Sequence, residues 1–157
     1  MGSEPLSTLL EREHRDIDAG VEAFMSTTDG EACHADALRQ ALGLLRRHIY
    51  LEEVFLFPSL REAGLMAPIF VMLREHGEMW ETLDALAAEL GKAAVSSVAR
   101  DVCAELAAQL TSHNGKEEPV LYPQADSVLS PSAAAQLRAF LTSAQLPEGW
   151  VCERARP

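Results

Sequence analysis

Apolar positions near the start of the chain recur in steps of three and four. Between residues 6 and 25 they fall at 6, 10, 14, 17, 21 and 24, with His14 on the same line. That spacing is one face of a helix. Thr27-Thr28-Asp29-Gly30 reads as its stop, Gly30 suiting the left-handed position past a helix end. A second helix is predicted from about Ala32 to Phe57, with core positions 38, 41, 45, 48, 52 and 55, ended or sharply bent by Pro58. Pro58 to Ala67 reads as a connection holding a short helical turn. Pro68 fits the first turn of a third helix, whose stripe runs 69, 72, 76, 79/80, 83, 86 and 90 before Gly91. Ser96 or Ser97 caps a fourth, with a stripe at 98, 102, 106, 109/110, 113, 117 and 120. Asn114, Gly115 and Pro119 weaken its second half and predict a kink or a tight local approach there. Ser130-Pro131 opens a short fifth helix to about Ser143. No run alternates as a strand does. The expected architecture is all-α: one domain over 1–157, an up-down-up-down antiparallel four-helix bundle over about 5–123, then a short C-terminal fifth helix and tail in 124–157.

Each core stripe passes through polar residues: His14, then His48 and Glu52, then His76, then His113 and Glu117. The chain also repeats itself. His48-Ile49-Tyr50-Leu51-Glu52-Glu53-Val54-Phe55-Leu56-Phe57-Pro58 returns as His113-Asn114-Gly115-Lys116-Glu117-Glu118-Pro119-Val120-Leu121-Tyr122-Pro123, and Arg12-Glu13-His14 returns as Arg74-Glu75-His76. His14 and His48 are equidistant from residue 31, His48 and His76 from residue 62, and His76 and His113 from a point between 94 and 95. In an antiparallel bundle, positions equidistant from a turn lie level with one another. All four histidines are therefore predicted in one layer, with each Glu about one turn (roughly 5–6 Å) along from its His.

A carboxylate in a bundle core costs several kcal/mol unless something compensates it, and two in one layer repel each other. No Lys or Arg lies on the stripes near this layer. Metal cations would neutralise the carboxylates, and imidazole with carboxylate suits iron, zinc, manganese or nickel. Six side chains from four helices are more than one ion ordinarily takes, which points to two. If Glu52 and Glu117 bridge, His14 and His48 serve one ion and His76 and His113 the other, leaving room for a bridging oxo or hydroxo group and a small ligand. An open position separates a working metal site from a structural one. A ferritin-like carboxylate site needs Glu-x-x-His on two helices; Glu11-x-x-His14 fits once, but Leu45, Leu73 and Leu110 stand three before the other histidines. No H-E-x-x-H occurs, which excludes a zincin.

The order His, His-x-x-x-Glu, His, His-x-x-x-Glu over about residues 6–123 resembles the hemerythrin-like HHE cation-binding domains. The resemblance implies a four-helix bundle holding a non-haem di-iron centre: two iron ions, ligands His14, His48, Glu52, His76, His113 and Glu117, with Glu52 and Glu117 bridging. There is a departure. Oxygen-carrying hemerythrins have a His four residues after the third-helix His, where this chain has Trp80. Tyr50, the nearest phenol in sequence, is a candidate substitute ligand, although it points some 200° around the helix from His48. Trp80, Phe55, Leu51 and Tyr122 read as core or pocket wall, Glu53 and Glu118 as flanking or supporting residues, and His34 as surface.

Composition narrows the function. Thirteen basic and twenty-four acidic residues leave a net charge of −11, which argues against nucleic-acid and anionic-membrane partners. No stretch approaches the ~20 apolar residues of a membrane span. Met1-Gly2-Ser3-Glu4-Pro5 lacks the regions of a signal peptide. Cys33, Cys103 and Cys152 are odd in number and scattered, as reduced thiols are, and cytoplasmic placement is the expectation. The expected partner is a small oxidant (O₂, peroxide or nitric oxide) at an open iron position, with loss of the carrier histidine favouring peroxide or nitric-oxide handling over O₂ storage. The alternative is an iron- or redox-responsive sensor without turnover, whose candidate contact surfaces are the fifth helix and the tail from Pro147 to Pro157.

Overall fold

A computed structural model describes residues 2–26, 33–94 and 96–157, with only the backbone of Cys33. The stop expected at Thr27–Gly30 lies outside the described residues. The elements are α1 (Leu6–Met25), α2 (Cys33–Leu51), a π-helical turn (Glu52–Leu56), α3 (Phe57–Glu62), α4 (Met66–Leu90), α5 (Ser97–Val120), α6 (Tyr122–Val128), α7 (Pro131–Ser143) and a 3₁₀ turn (Glu153–Ala155). No strand occurs among the described residues. Helix α1 packs on α2 and α5, and α4 packs on α5 and α2, an all-helical arrangement consistent with a bundle of four long helices.

Local chemistry explains the boundaries. The Ser96 and Ser130 side chains accept hydrogen bonds from the Ala99 and Ala133 N–H groups, capping α5 and α7. Pro5 gives α1 no side-chain cap. Asp126, from α6, supplies it instead, accepting from Leu6 N–H at 2.7 Å and Ser7 N–H at 3.2 Å.

Two predicted boundaries are corrected. The second helix does not run uniformly to Phe57. It widens into the π turn, where Phe57 N–H bonds the Glu52 carbonyl, and Pro58 then occupies the first turn of α3. In a regular helix the Pro58 ring would collide with the Val54 carbonyl, and a wide turn ahead of proline is one way to avoid this. In the second copy, α5 continues unbroken through Asn114, Gly115 and Pro119 to Val120, and nothing approaches the Gly115 position within 4 Å. The interruption comes at Leu121, seven residues after Asn114, and α6 restarts at Tyr122 with Pro123 in its first turn. Helix α6 was not expected.

The core is divided. One apolar cluster includes Ile17, Val21, Leu38, Leu45, Leu83 and Leu106; the other includes Leu6, Leu10, Leu51, Leu60, Met72 and Leu137. On α1 the two are separated at His14, on α4 at His76, and on α5 at the stretch from His113 to Glu117. A polar layer lies between two greasy ones. Within the first cluster, Cys103 and Cys152 are buried free thiols, pushed up to about 11 chiefly by burial.

Helices α1 and α2 approach closely at Gly20, where an added Cβ would lie 2.5 Å from Ala41 Cβ and 2.9 Å from the Ala37 carbonyl oxygen. Gly20→Ala should therefore force backbone apart despite its better helix propensity, costing about 1–3 kcal/mol, measurable as a lower urea midpoint with unchanged slope.

Candidate metal centre

The six predicted residues arrive at one level. His14, His48, Glu52 and Glu117 form one group of buried donor atoms, and Glu52, His76, His113 and Glu117 form a second; within each group no donor atom is more than 4.8 Å from another. The two carboxylates belong to both groups, each with one oxygen in each. Glu52 Oε2 lies 3.5 Å from His48 Nε2 and its Oε1 3.2 Å from His76 Nε2. Glu117 Oε1 lies 3.2 Å from His14 Nε2 and its Oε2 3.4 Å from His113 Nε2. All six residues are at most 3% exposed.

A carboxylate meets the other nitrogen of each of these four histidines. His14 Nδ1 donates to Glu118 (3.1 Å), His48 Nδ1 to Glu13 (3.1 Å), His76 Nδ1 to Glu53 (2.7 Å) and His113 Nδ1 to Glu75 (3.1 Å). An ionised carboxylate only accepts, so each Nδ1 carries the proton. In a neutral imidazole, Nε2 then presents a bare lone pair. The four Nε2 atoms therefore confront inner carboxylate oxygens, acceptor against acceptor. Glu52 Oε1, His76 Nε2 and both Glu117 oxygens are fully buried without a hydrogen-bond partner. No Lys or Arg contacts Glu52 or Glu117 among the described residues. Something positive must stand between these atoms: protons or metal.

This donor set fits metal. Ligands about 2.0–2.2 Å from an ion, set at right or tetrahedral angles, lie roughly 3.0–3.5 Å from one another, the range found between each Nε2 and its facing oxygen. Outer carboxylates on Nδ1 fix tautomer and ring orientation, as they do in metal sites generally.

Among protein groups alone, protons take the metal's part. Burial opposes charge on His48, His76 and His113, but the facing carboxylates outweigh it and raise all three, His113 to about 10. Burial likewise opposes charge on Glu117, yet the histidines hold it well below the ordinary carboxylate range.

Sequence reasoning missed several participants. Tyr122, read as wall, places its buried hydroxyl 2.8 Å from His14 Nε2, 2.9 Å from His48 Nε2 and 2.9 Å from Glu52 Oε2. Burial and then the two inner carboxylates hold its phenol well above its usual range. The repeat carried the clue, because Tyr122 corresponds to Phe57. Phe57 stacks on His76 with ring centroids 5.5 Å apart, as Tyr122 lies against His14 at 5.2 Å, but it brings no oxygen. Glu13 and Glu75 had a signal too, as members of the repeated Arg-Glu-His.

Tyr50 sits elsewhere. Its ring packs against Phe55, Phe140 and Trp150, so the phenol among the donors is Tyr122. Trp80 is buried beneath the Arg46 guanidinium and edge-on to Trp150. His34 Nδ1 bonds the Ala23 carbonyl, outside both donor groups.

Comparison with known proteins agrees with this geometry. Residues 6–125 match the model of the hemerythrin HHE cation-binding domain. The chain belongs to that family. Three proteins described as uncharacterized, one from Mycobacterium bovis and two from strains of Mycobacterium tuberculosis, are each 33% identical to it over 107 residues, which is 61% of this chain and 42% of each relative. The hemerythrin-like chain thus spans less than half the length of these curated relatives. No solved structure matches it.

The Glu75–His113 pair gives the metal-free domain a defined pH response. Hydrogen bonding to His113 and Lys116 lowers Glu75 to about 2 from 4.5, so its stabilisation is full above pH 4.5 and lost as pH falls toward 2. His113 is raised from 6.5 to about 10, so its contribution is full below pH 6.5 and lost as pH rises through 10. In chelator-treated protein, the stability advantage of wild type over Glu75→Gln should peak between about pH 4.5 and 6.5 in denaturant titrations and shrink on both sides.

Proposed function

We propose that this domain holds two iron ions, bridged by Glu52 and Glu117, and reacts with a small oxidant, with peroxide or nitric oxide favoured over O₂ storage. The observation that carries this reading is the doubled donor group, in which each inner carboxylate turns one oxygen to each histidine pair. His14 and His48 would hold one ion, with the Tyr122 hydroxyl beside them as a further donor, and His76 and His113 would hold the other. When bound, such a pair of irons would supply electron transfer to and from a small ligand.

The protein's own contribution is placement and exclusion. The outer carboxylates keep each Nε2 free to ligate. Apolar layers on both sides keep water from the reacting face. Tyr122 occupies space beside the first histidine pair, whereas Phe57 lies against the second pair without offering a donor, so a small ligand would be taken on the His76 and His113 side. In this reading the four long helices run up-down-up-down as one domain in the cytoplasm. No helix among the described residues is long and apolar enough to cross a membrane.

A sensor without turnover is the second reading. It is favoured by one contact, the bond from the C-terminal segment to Glu53.

The test begins with elemental analysis and turnover. Two irons per chain are expected, with peroxide consumed faster than by the same concentration of free iron, and His76→Ala should abolish the excess. Metal affinity should fall as pH falls, because iron must displace protons from the raised histidines. One zinc per chain, or peroxide loss no faster than with free iron, would reverse the assignment. Tyr122→Phe should keep the two irons but alter the electronic spectrum of the loaded protein; an unchanged spectrum removes Tyr122 from the ligand set.

A further inference from the structure

The tail beyond Pro147 carried no signal in sequence, yet it is fastened along α4 beside the His76 half of the layer. Pro147-Glu148-Gly149-Trp150 forms a tight turn closed by Trp150 N–H on the Pro147 carbonyl, with Gly149 at φ +77°, which a side chain would resist. Trp150 then packs edge-on against Trp80 and Tyr50. Cys152 is fully buried. Arg154 spreads over the Phe70 ring at 4.8 Å, and its Cβ lies where a side chain on Gly77 would be, 2.7 Å from an added Cβ. Glycine beside His76 is what lets the strap come so close. Trp80, standing where oxygen carriers have a histidine, is its landing residue.

The strap reaches the centre through a single backbone donor. Glu153 N–H bonds Glu53 Oε1 at 2.9 Å, while Glu53 Oε2 accepts from His76 Nδ1 at 2.7 Å, the shortest of the four outer contacts. The corresponding carboxylate of the other half, Glu118, keeps its side chain about a third exposed and holds His14 at 3.1 Å. The other two outer carboxylates are steadied by side chains, Glu13 by Arg47 and Glu75 by Lys116. The two halves of the repeat thus differ at this point in what lies behind the lone histidine.

We propose that the strap, residues 147–157, is a positioning element for the His76–His113 half of the centre. It fixes Glu53 and thereby His76, and metal at that half in turn holds the strap down. This rests on the two-metal reading above. Loss of an outer partner of a ligating histidine typically weakens metal binding about 10–100-fold, and the strap stands one bond further out. Linkage makes the effect mutual: if docking the strap tightens metal binding, metal tightens strap docking by the same factor.

Glu153→Pro tests this with little else disturbed. It deletes the one N–H involved, at the first residue of the 3₁₀ turn, and Cys152 ahead of it already has the extended conformation (φ −62°, ψ 156°) that proline requires of its predecessor. Glu153→Ala is the control, since the bond comes from the backbone. Ferrous iron titrated anaerobically into full-length protein and followed by calorimetry should show one of two binding steps weakened about tenfold in Glu153→Pro, the other step unchanged, and both unchanged in Glu153→Ala. Hydrogen exchange on wild type supplies an independent arm: loading both irons should slow exchange of the Glu153 amide about tenfold. Equal titrations for wild type and Glu153→Pro, both steps shifting together, or exchange at Glu153 indifferent to iron would overturn the coupling. Wild type binding no iron would overturn the two-metal reading, and this inference with it.

Discussion

Everything in this domain is arranged around atoms that repel each other. Four imidazole nitrogens and four carboxylate oxygens meet in a layer closed to solvent, and the hydrogen bonds on the far side of each ring leave the inner nitrogens as acceptors. In water such a meeting is harmless. Between packed helices the low dielectric makes it untenable unless positive charge enters. Protons can provide it, which is why His48, His76 and His113 are pushed upward as the side chains stand. Two cations provide it better, because one ion satisfies several lone pairs at once and keeps the carboxylates ionised. The outer carboxylates matter as much as the inner ones, because without them each ring could turn its protonated nitrogen inward and the repulsion would vanish.

The fold makes this layer affordable by separating it from the parts that supply stability. Apolar clusters above and below it carry the packing that holds the helices together around the polar groups. Distortion of the helices is confined to the layer's edge. The π turn at Glu52 and the interruption at Leu121 both precede a proline, and both deliver an aromatic ring against a histidine. The same residues that repeat the ligands therefore repeat the lids.

Two departures from the repeat bear on the polar layer. One hydroxyl separates Tyr122 from Phe57, giving the first histidine pair a fifth neighbour and leaving the second pair beneath a hydrocarbon ring. The C-terminal strap backs Glu53, and among the described residues no backbone donor equivalently backs Glu118. The two donor groups, alike in their inner residues, thereby acquire different surroundings.

How much of this is legible without coordinates follows from the range of each interaction. Helical periodicity and the spacing of histidines from turns are local properties, and they sufficed to place His14, His48, Glu52, His76, His113 and Glu117 on inward faces at one level. The family likeness rests on the same residues. Helix α6, the Asp126 cap on α1, the position of Tyr122 and the strap over Gly77 depend on segments as much as 120 residues apart, and no periodicity encodes them. Tyr50 and Tyr122 show the difference. Sequence proximity to His48 favoured the first, but an unbroken helix turns it toward Phe140, whereas the interruption at Leu121 swings the second inward. The chain by itself determined which side chains face the core, because that depends on 3.6 residues per turn. Only the tertiary structure decided which of them touch, because that depends on where each helix is broken and what closes over it.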